Sequence, residues 1–560
     1  MKSTSSTSTT SSFRRKHPKE FSLDTEYKGP IIPPSTKERS KQRTLVLCFD
    51  GTGDQFDNDN SNVVQFFSLL AKGDSKQQLV YYQAGIGTYT IPQVATPIGS
   101  KFRQTLDMML GSSLHHHVMG GYEFLMERYK TGDRICIFGF SRGAYTARAL
   151  AGMIEKVGLL PAGNHQQVPF AYKMYMKDDE LGWQQSVLFK KSFSMDVDIE
   201  FVGVWDTVAS VGILPKHIPF TKNNTCVKTF RHALSLDEHR AKFKANLYDF
   251  GANVESETGD LTYVPLSQRK KNLQKKYAHR HDHDHDHDHD HDDDDVADME
   301  VEVDLDLKKK KKKLEEDKFN KSSKLEEKYT DKTKKTDVLE VWFAGCHTDV
   351  GGGSVANDTR YSLARIPLRW MVRECFLTNS GIQFAAGRLH EVGLDPHTLY
   401  PFVRPRPAPL PVEGISFEEK EQSEGGTFRS ESPVAKEKAK QNVVTQEEED
   451  EEGSGEFVDE EHEELHDALS PAFDQLALAW YWWILEWFPL VHRHERIDAS
   501  SVKVISVNKG RPRVVAHQHL TGIKVHRSVK MRMEAEAQVL LLKSQYKPRV
   551  KFDCEPTWVD

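Results

Sequence analysis

The stretch CIFGFSRGAYTARAL, residues 136–150, decides how the rest of the chain is read. An apolar run stops at Gly139, a serine follows between two glycines, and small residues with helical spacing begin. The local order is therefore strand, cramped corner, helix. Gly139-Phe140-Ser141-Arg142-Gly143 fits the pattern G-x-S-x-G. The bare pattern is weak, but its place between a strand and a helix is where a nucleophile elbow has to be. Glycines belong on either side because a β-carbon in so tight a turn meets neighbouring backbone. The helix start lends the serine oxygen partial positive charge. The carboxyl edge of the sheet is where α/β folds keep their sites.

Outward from this corner, apolar strand-like runs alternate with helical spacing. TLVLCFD ends a strand at Asp50, SNVVQFFSLLA (61–71) has a helical period, and LVYY (79–82) is a strand leading to a glycine turn. HHHVMGGYEFLMERYK (115–130) reads as a helix, and VDIEFVGVWD (197–206) and VLEVWFAGCH (338–347) as strands. This alternation predicts an α/β fold: an α/β-hydrolase-like, mostly parallel sheet flanked by helices and interrupted by two long disordered inserts.

The inserts follow from composition. Of the 560 residues, 38% are hydrophobic and 28% charged, too polar for one compact globule throughout. The expected organisation is a disordered tail at 1–40, a first part of the core at 41–251, and a His-Asp and Lys-rich insert at 252–336. A second part of the core at 337–400, a Pro-rich and acidic linker at 401–466, and a Trp-rich C-terminal part of the catalytic domain at 467–560 follow. The first insert holds HRHDHDHDHDHDHDDDD and Lys308–Lys313, which cannot bury a core. Its histidines offer weak metal capture at most, without a spaced ligand set, so no metal site and no cofactor is assigned. The net charge of −7 gives no basic field over the whole chain and argues against nucleic acid. Six scattered cysteines without a CxxC pair fit buried free thiols in a reducing compartment. The first twenty residues lack the apolar core of a secretory signal. Their Ser/Thr-rich, Arg14-Arg15-Lys16 composition also suits a mitochondrial transit peptide, but a floppy tail on a cytoplasmic protein is the preferred reading. The sequence does not set an oligomeric state.

A serine hydroxyl needs a base to take its proton and a carboxylate to orient that base. Two later strand ends supply them in the order expected of α/β-hydrolases, Asp206 after FVGVW and His347 after VWFAGC. Asp349, two residues on, is the alternative acid, or it binds the loop backbone. For the oxyanion, one donor is expected from the backbone N–H of Arg142. The other is expected from the loop after the first long strand, through Gly51 or Thr52, with Asp50 fixing that loop by side-chain hydrogen bonds. The segment PAFDQLALAWYWWILEWFPLV (471–491) is short for a membrane span, which needs roughly twenty apolar residues. The plain expectation is a helix packed on the core. Its four tryptophans also allow a lid or a peripheral membrane contact through 473–491.

Four blocks taken together, CFDGTGD, GFSRGAYTAR, GVWDTV and CHTDVGGG, resemble the type VI secretion phospholipase effector-like catalytic domain family, in its fungal branch. HALSLDEHR, PLRWMVRE, WWILEW and VHRSVKMR look like further blocks of that branch. The resemblance implies an α/β-hydrolase fold and a Ser–Asp–His triad, which by motif falls on Ser141, Asp206 and His347. It also implies ester cleavage in phospholipids, so the expected partner is a lipid or small ester substrate. Two other readings stay open. A hydrolase fold without catalysis could serve as a scaffold that recruits partners through its charged inserts. CFDGTGD also resembles the aspartyl-phosphate motif of haloacid-dehalogenase-like phosphatases, but Cys48 stands where their attacking aspartate would be.

Overall fold

The computed structural model describes residues 29–34, 42–51, 54–85, 114–208, 218–249, 322, 324–412, 457–480, 482–487, 490–495, 501–515, 518–537, 540 and 544–560. Twelve strands lie among them. In chain order they are β1 (Ile31–Ile32), β2 (Thr44–Phe49), β3 (Gln78–Gln83), β4 (Arg134–Phe140), β5 (Ile199–Trp205) and β6 (Val227–Ser235). They continue with β7 (Asp337–Phe343), β8 (Phe384–Ala385), β9 (Leu490–Glu495), β10 (Ser501–Ser506), β11 (Lys524–His526) and β12 (Thr557–Val559).

Eight of these form one sheet in the order β12-β11-β7-β6-β5-β4-β2-β3, and every pairing in it is parallel. The α/β architecture is the one the alternation predicts. β4 is apolar from Ile135 onward because it is covered on both faces, with register Leu47↔Ile137 to β2 and Ile137↔Val202 to β5. Period-two alternation divides its side chains. Ile135 and Ile137 face the helices Leu114–Arg128 and Ser141–Val157, whereas Cys136, Phe138 and Phe140 join Phe66, Trp205 and Met371 on the other side.

The chain winds from β2 outward to β3, then returns across β2 to β4 and continues in the opposite direction. The switch falls between the carboxyl ends of β2 and β4, where an open α/β sheet forms a crevice. The loop at Asp50–Gly51 and the corner at Ser141 both lie there.

Several ordered parts lie where sequence reading expected none. β1, within the supposed tail, pairs with β8, and Ile32 is fully buried. Residues 324–329, within the supposed insert, are helical, and Leu325 and Tyr329 pack on Trp183 and Phe220. The His-Asp run lies outside the described residues. The supposed acidic linker ends in a helix, Glu460–Leu469, N-capped by Asp459 and packed against the core. Its carboxylates meet arginines from elsewhere in the fold. Glu460 pairs with Arg373, Glu463 with Arg360 and Arg365, Glu464 with Arg406 and Arg527, and Asp467 with Arg369. Local composition read this helix as solvated because its partners are distant in sequence. β6 also escaped the sequence reading: polar and charged side chains interrupt its apolar pattern, and they are buried by specific pairing, Arg231 with Glu374 and His232 with Glu340.

The Trp-rich segment is not a core helix. It forms two short helices, Gln475–Leu478 and Trp482–Glu486, followed by the β9–β10 hairpin. Among the described residues no helix is long and apolar enough to cross a membrane.

Candidate active site

The corner at Ser141 is strained in the way its sequence implies. Ser141 has φ +58°, a left-handed conformation uncommon for a residue with a β-carbon. Both flanking glycines are required by contact. A β-carbon on Gly139 would lie 2.6 Å from the Gly143 carbonyl oxygen, and one on Gly143 would lie 2.3 Å from the carbonyl oxygens of Phe49 and Asp50. The helix Ser141–Val157 therefore sits directly on the end of β2, with the serine hydroxyl in its first turn.

Ser141, His347 and Asp206 come together from three strand ends. His347 Nε2 lies 2.8 Å from Ser141 Oγ, and His347 Nδ1 lies 2.5 Å from Asp206 Oδ2. With Nδ1–H donating to the carboxylate, Nε2 is left to accept the serine proton. Phe140 packs tilted against the imidazole at 4.7 Å between centroids and Phe243 meets it edge-on at 4.8 Å, so two aromatic rings hold it. Burial lowers the His347 pKa below the ordinary imidazole range, and the Arg240 charge adds to this. The hydrogen bond with Asp206 and that carboxylate's charge pull the other way.

Asp206 is fully buried with φ +39° and receives four donors. Oδ1 accepts from the Ser235 amide (3.0 Å) and Arg513 Nη1 (2.5 Å), and Oδ2 accepts from His347 Nδ1 and Arg513 Nη2 (2.7 Å). Burial alone would raise its pKa. The Arg513 guanidinium and the hydrogen bond from His347 outweigh that and hold it well below the usual carboxylate range. Arg513 is itself fixed by donation to the carbonyl oxygens of Ser235 and Phe243. Sequence reasoning missed it. It belongs to a C-terminal loop, and nothing in GRPRVV signals a partner 307 residues earlier.

HALSLDEHR supplies a supporting layer that carried no assigned role. His232 Nε2 accepts from the Thr207 amide at 3.1 Å and Nδ1 bonds Glu340, which fixes the turn after Asp206. Glu238 binds the Arg240 side chain in two places, at 3.0 and 2.8 Å, and receives the His347 backbone N–H at 3.3 Å.

The remaining sequence candidates divide. At Asp50, Oδ1 accepts from the Gly51 amide (2.8 Å) and Ser61 Oγ (2.6 Å), and Oδ2 accepts from Tyr82 (2.7 Å). The Gly51 amide, expected as an oxyanion donor, is directed here at the Asp50 carboxylate. Thr52 lies outside the described residues. Arg142 is in the first turn of the elbow helix, where amides project from the helix end. Asp349 does not face the imidazole. Its carboxylate accepts from the Cys346 amide at 2.7 Å, capping the helix His347–Gly351, and from the Phe473 amide at 3.0 Å. Of its two sequence readings, backbone binding is what this geometry contains.

Serine, imidazole and carboxylate linked at the elbow of a parallel α/β sheet define a class of site before any relative is considered. The chain belongs to the family described as T6SS, phospholipase effector Tle1-like, catalytic domain, whose match spans residues 43–374, more than half of the chain. It is similar to the uncharacterized protein YEL023C of Saccharomyces cerevisiae, with 29% identity over 573 residues covering 90% of this chain and 80% of that one. Two solved structures are also similar. One is an uncharacterized protein from Pseudomonas aeruginosa, at 18% identity and TM-score 0.28, covering 61% of this chain and 46% of that one. The other is the Tle1 effector bound to the VgrG spike from the type 6 secretion system, at 16% identity and TM-score 0.23, covering 36% and 47%. The chain thus spans about half the length of these two solved chains.

Proposed function

We propose that the chain is a serine hydrolase that cleaves carboxylic esters of lipids through an acyl-enzyme. The observation that carries this reading is the continuous relay from Ser141 Oγ through His347 to Asp206, at 2.8 and 2.5 Å. Membership of a phospholipase effector-like family supports the substrate class. In this reading the catalytic unit is assembled from 41–251, 337–400 and 467–560, because Arg513 from the last part holds Asp206 from the first.

Ser141 Oγ attacks the ester carbonyl while His347 Nε2 takes its proton. The oxyanion is received by the Arg142 N–H and a second amide from the loop after β2, for which Thr52 is the proposed donor. Imidazolium returns the proton to the departing alcohol, leaving acyl-Ser141. Water, deprotonated by the same nitrogen, then releases the acid and restores the serine.

A fluorophosphonate probe on the purified chain, followed by a panel of phospholipids and short esters, tests the proposal. Capture at Ser141 is expected, and Ser141→Ala should lose on the order of a thousandfold or more in turnover. A variant that keeps near-normal turnover removes Ser141 from the chemistry. Failure of labelling in folded protein favours a hydrolase-like scaffold instead.

A further inference from the structure

The Trp-rich segment is folded inside out for a soluble helix. Its acid Glu486 is buried and three of its four indoles face solvent. Glu486 is 1% exposed and accepts from the Ala241 amide (2.5 Å), Asn508 Nδ2 (2.6 Å) and the Gly510 amide (2.8 Å). With Glu486 pinned inward, Trp480, Trp483, Ile484 and Trp487 are 76, 41, 52 and 61% exposed. Apolar side chains clustered in this way, on elements held by buried hydrogen bonds, mark a surface that meets something.

The charge around them is basic. Lys509 is exposed and its ammonium lies 5.1 Å from the Trp487 ring centroid. Arg511 is exposed on the same turn, which runs beneath Trp483: a β-carbon on Gly510 would sit 3.5 Å from that indole. The nearby acids are engaged elsewhere, Glu486 by its three donors and Asp474 by His239 and Arg549. Indole rings interleaved with cations suit a bilayer interface, where rings enter the acyl boundary and cations meet phosphate. The patch also adjoins the candidate site. Trp482 packs edge-on against Phe243 at 5.5 Å, and Phe243 packs against the His347 ring.

We propose that this surface docks the protein on bilayers bearing anionic phospholipid headgroups, with the Ser141 site turned toward the lipid. The proposal deepens the reading of the site as a lipid esterase, yet docking itself needs no turnover. It is tested with the full chain carrying Ser141→Ala, which binds without consuming lipid. Vesicles of phosphatidylcholine alone and of phosphatidylcholine with phosphatidylserine are compared by flotation and by tryptophan emission. Expected are a blue shift and flotation that are stronger with the anionic vesicles and weaken as salt is added. Trp480→Ser with Trp487→Ser should weaken binding to both vesicles on the order of tenfold or more. Lys509→Glu with Arg511→Glu should remove about tenfold of the anionic preference, and thermal unfolding of each variant checks the fold. Absence of flotation, equal binding to both compositions, or binding indifferent to these changes overturns the proposal. So does a doubled mass in light scattering that the tryptophan changes abolish, since a second copy would then be the occupant. Failed labelling at Ser141 alongside intact vesicle binding would sink the esterase reading and leave the docking surface standing.

Discussion

Two strand ends in this molecule present a buried aspartate within reach of the same histidine segment, and they treat it in opposite ways. Asp206, after β5, is held well below the carboxylate range. Asp349, two residues past His347, is pushed up to about 7. Burial opposes ionisation at both. Around Asp206 it is outweighed by the Arg513 guanidinium and by His347. Around Asp349 it dominates, because the compensating groups are chiefly two backbone amides, with the Arg532 charge set against that of Asp237. A carboxylate that must face an imidazolium as an anion needs a charge partner. One that caps a helix needs only amide donors for its oxygens and can keep its proton.

The largest way to break this comparison is at Asp206 itself. Asp206→Asn should cut turnover of a short ester by roughly 10⁴, because the imidazole loses the anion that fixes its tautomer and orientation. Unfolding must be measured in parallel, since Arg513 is then left without its partner. If the folded variant retains most of its rate while Asp349→Asn is crippled, the roles of the two acids are reversed.

The elbow and its two partner strand ends were legible because each signal is local. Gly139, Ser141 and Gly143 sit in one turn, and Asp206 and His347 each close an apolar run. What faces them was not legible. Arg513 lies in a loop without periodicity, and its role exists only through an ion pair across 307 residues. The helix Glu460–Leu469 failed for the same reason: EEHEE is a solvated run unless arginines from three other segments converge on it. The Trp-rich segment misled in the opposite direction. Its apolar content predicts burial, but Glu486 is buried, and with that carboxylate pinned inward Trp480, Trp483 and Trp487 face outward.

Arg513→Met sharpens the comparison by making Asp206 resemble a carboxylate without a cation. Breaking a buried pair costs about 3–5 kcal/mol of stability. The sign with pH follows from linkage. A depressed folded pKa contributes stability above the unfolded carboxylate value, near 4, and that stability is lost as pH falls through the folded value. The deficit of Arg513→Met should therefore be greatest at neutral pH and shrink in acid, as denaturant titrations at several pH values will show. Activity shifts in the other direction. With the guanidinium gone, the full Asp206 charge stabilises protonated His347, so the acid limb of kcat/KM should move to higher pH. Arg513→Lys should restore part of both effects. An unmoved acid limb would leave Arg513 with a purely structural role.

Asp349→Asn is the smallest change expected, and its interest lies in its pH dependence. Asparagine resembles the protonated acid and can still accept from the Cys346 and Phe473 amides, so turnover should fall by no more than a few-fold. Asp349 titrates in the folded chain near 7 and in the unfolded chain near 4. Between those values the native state holds a proton that the unfolded state has lost. Stability therefore falls as pH rises through that window. The variant lacks this dependence. Its stability relative to the parent should be close to even at pH 4 and should improve steadily toward pH 7 in thermal or urea unfolding. A variant that is worst at neutral pH would mean that Asp349 is an anion there, and the contrast between the two strand ends would then reduce to geometry alone.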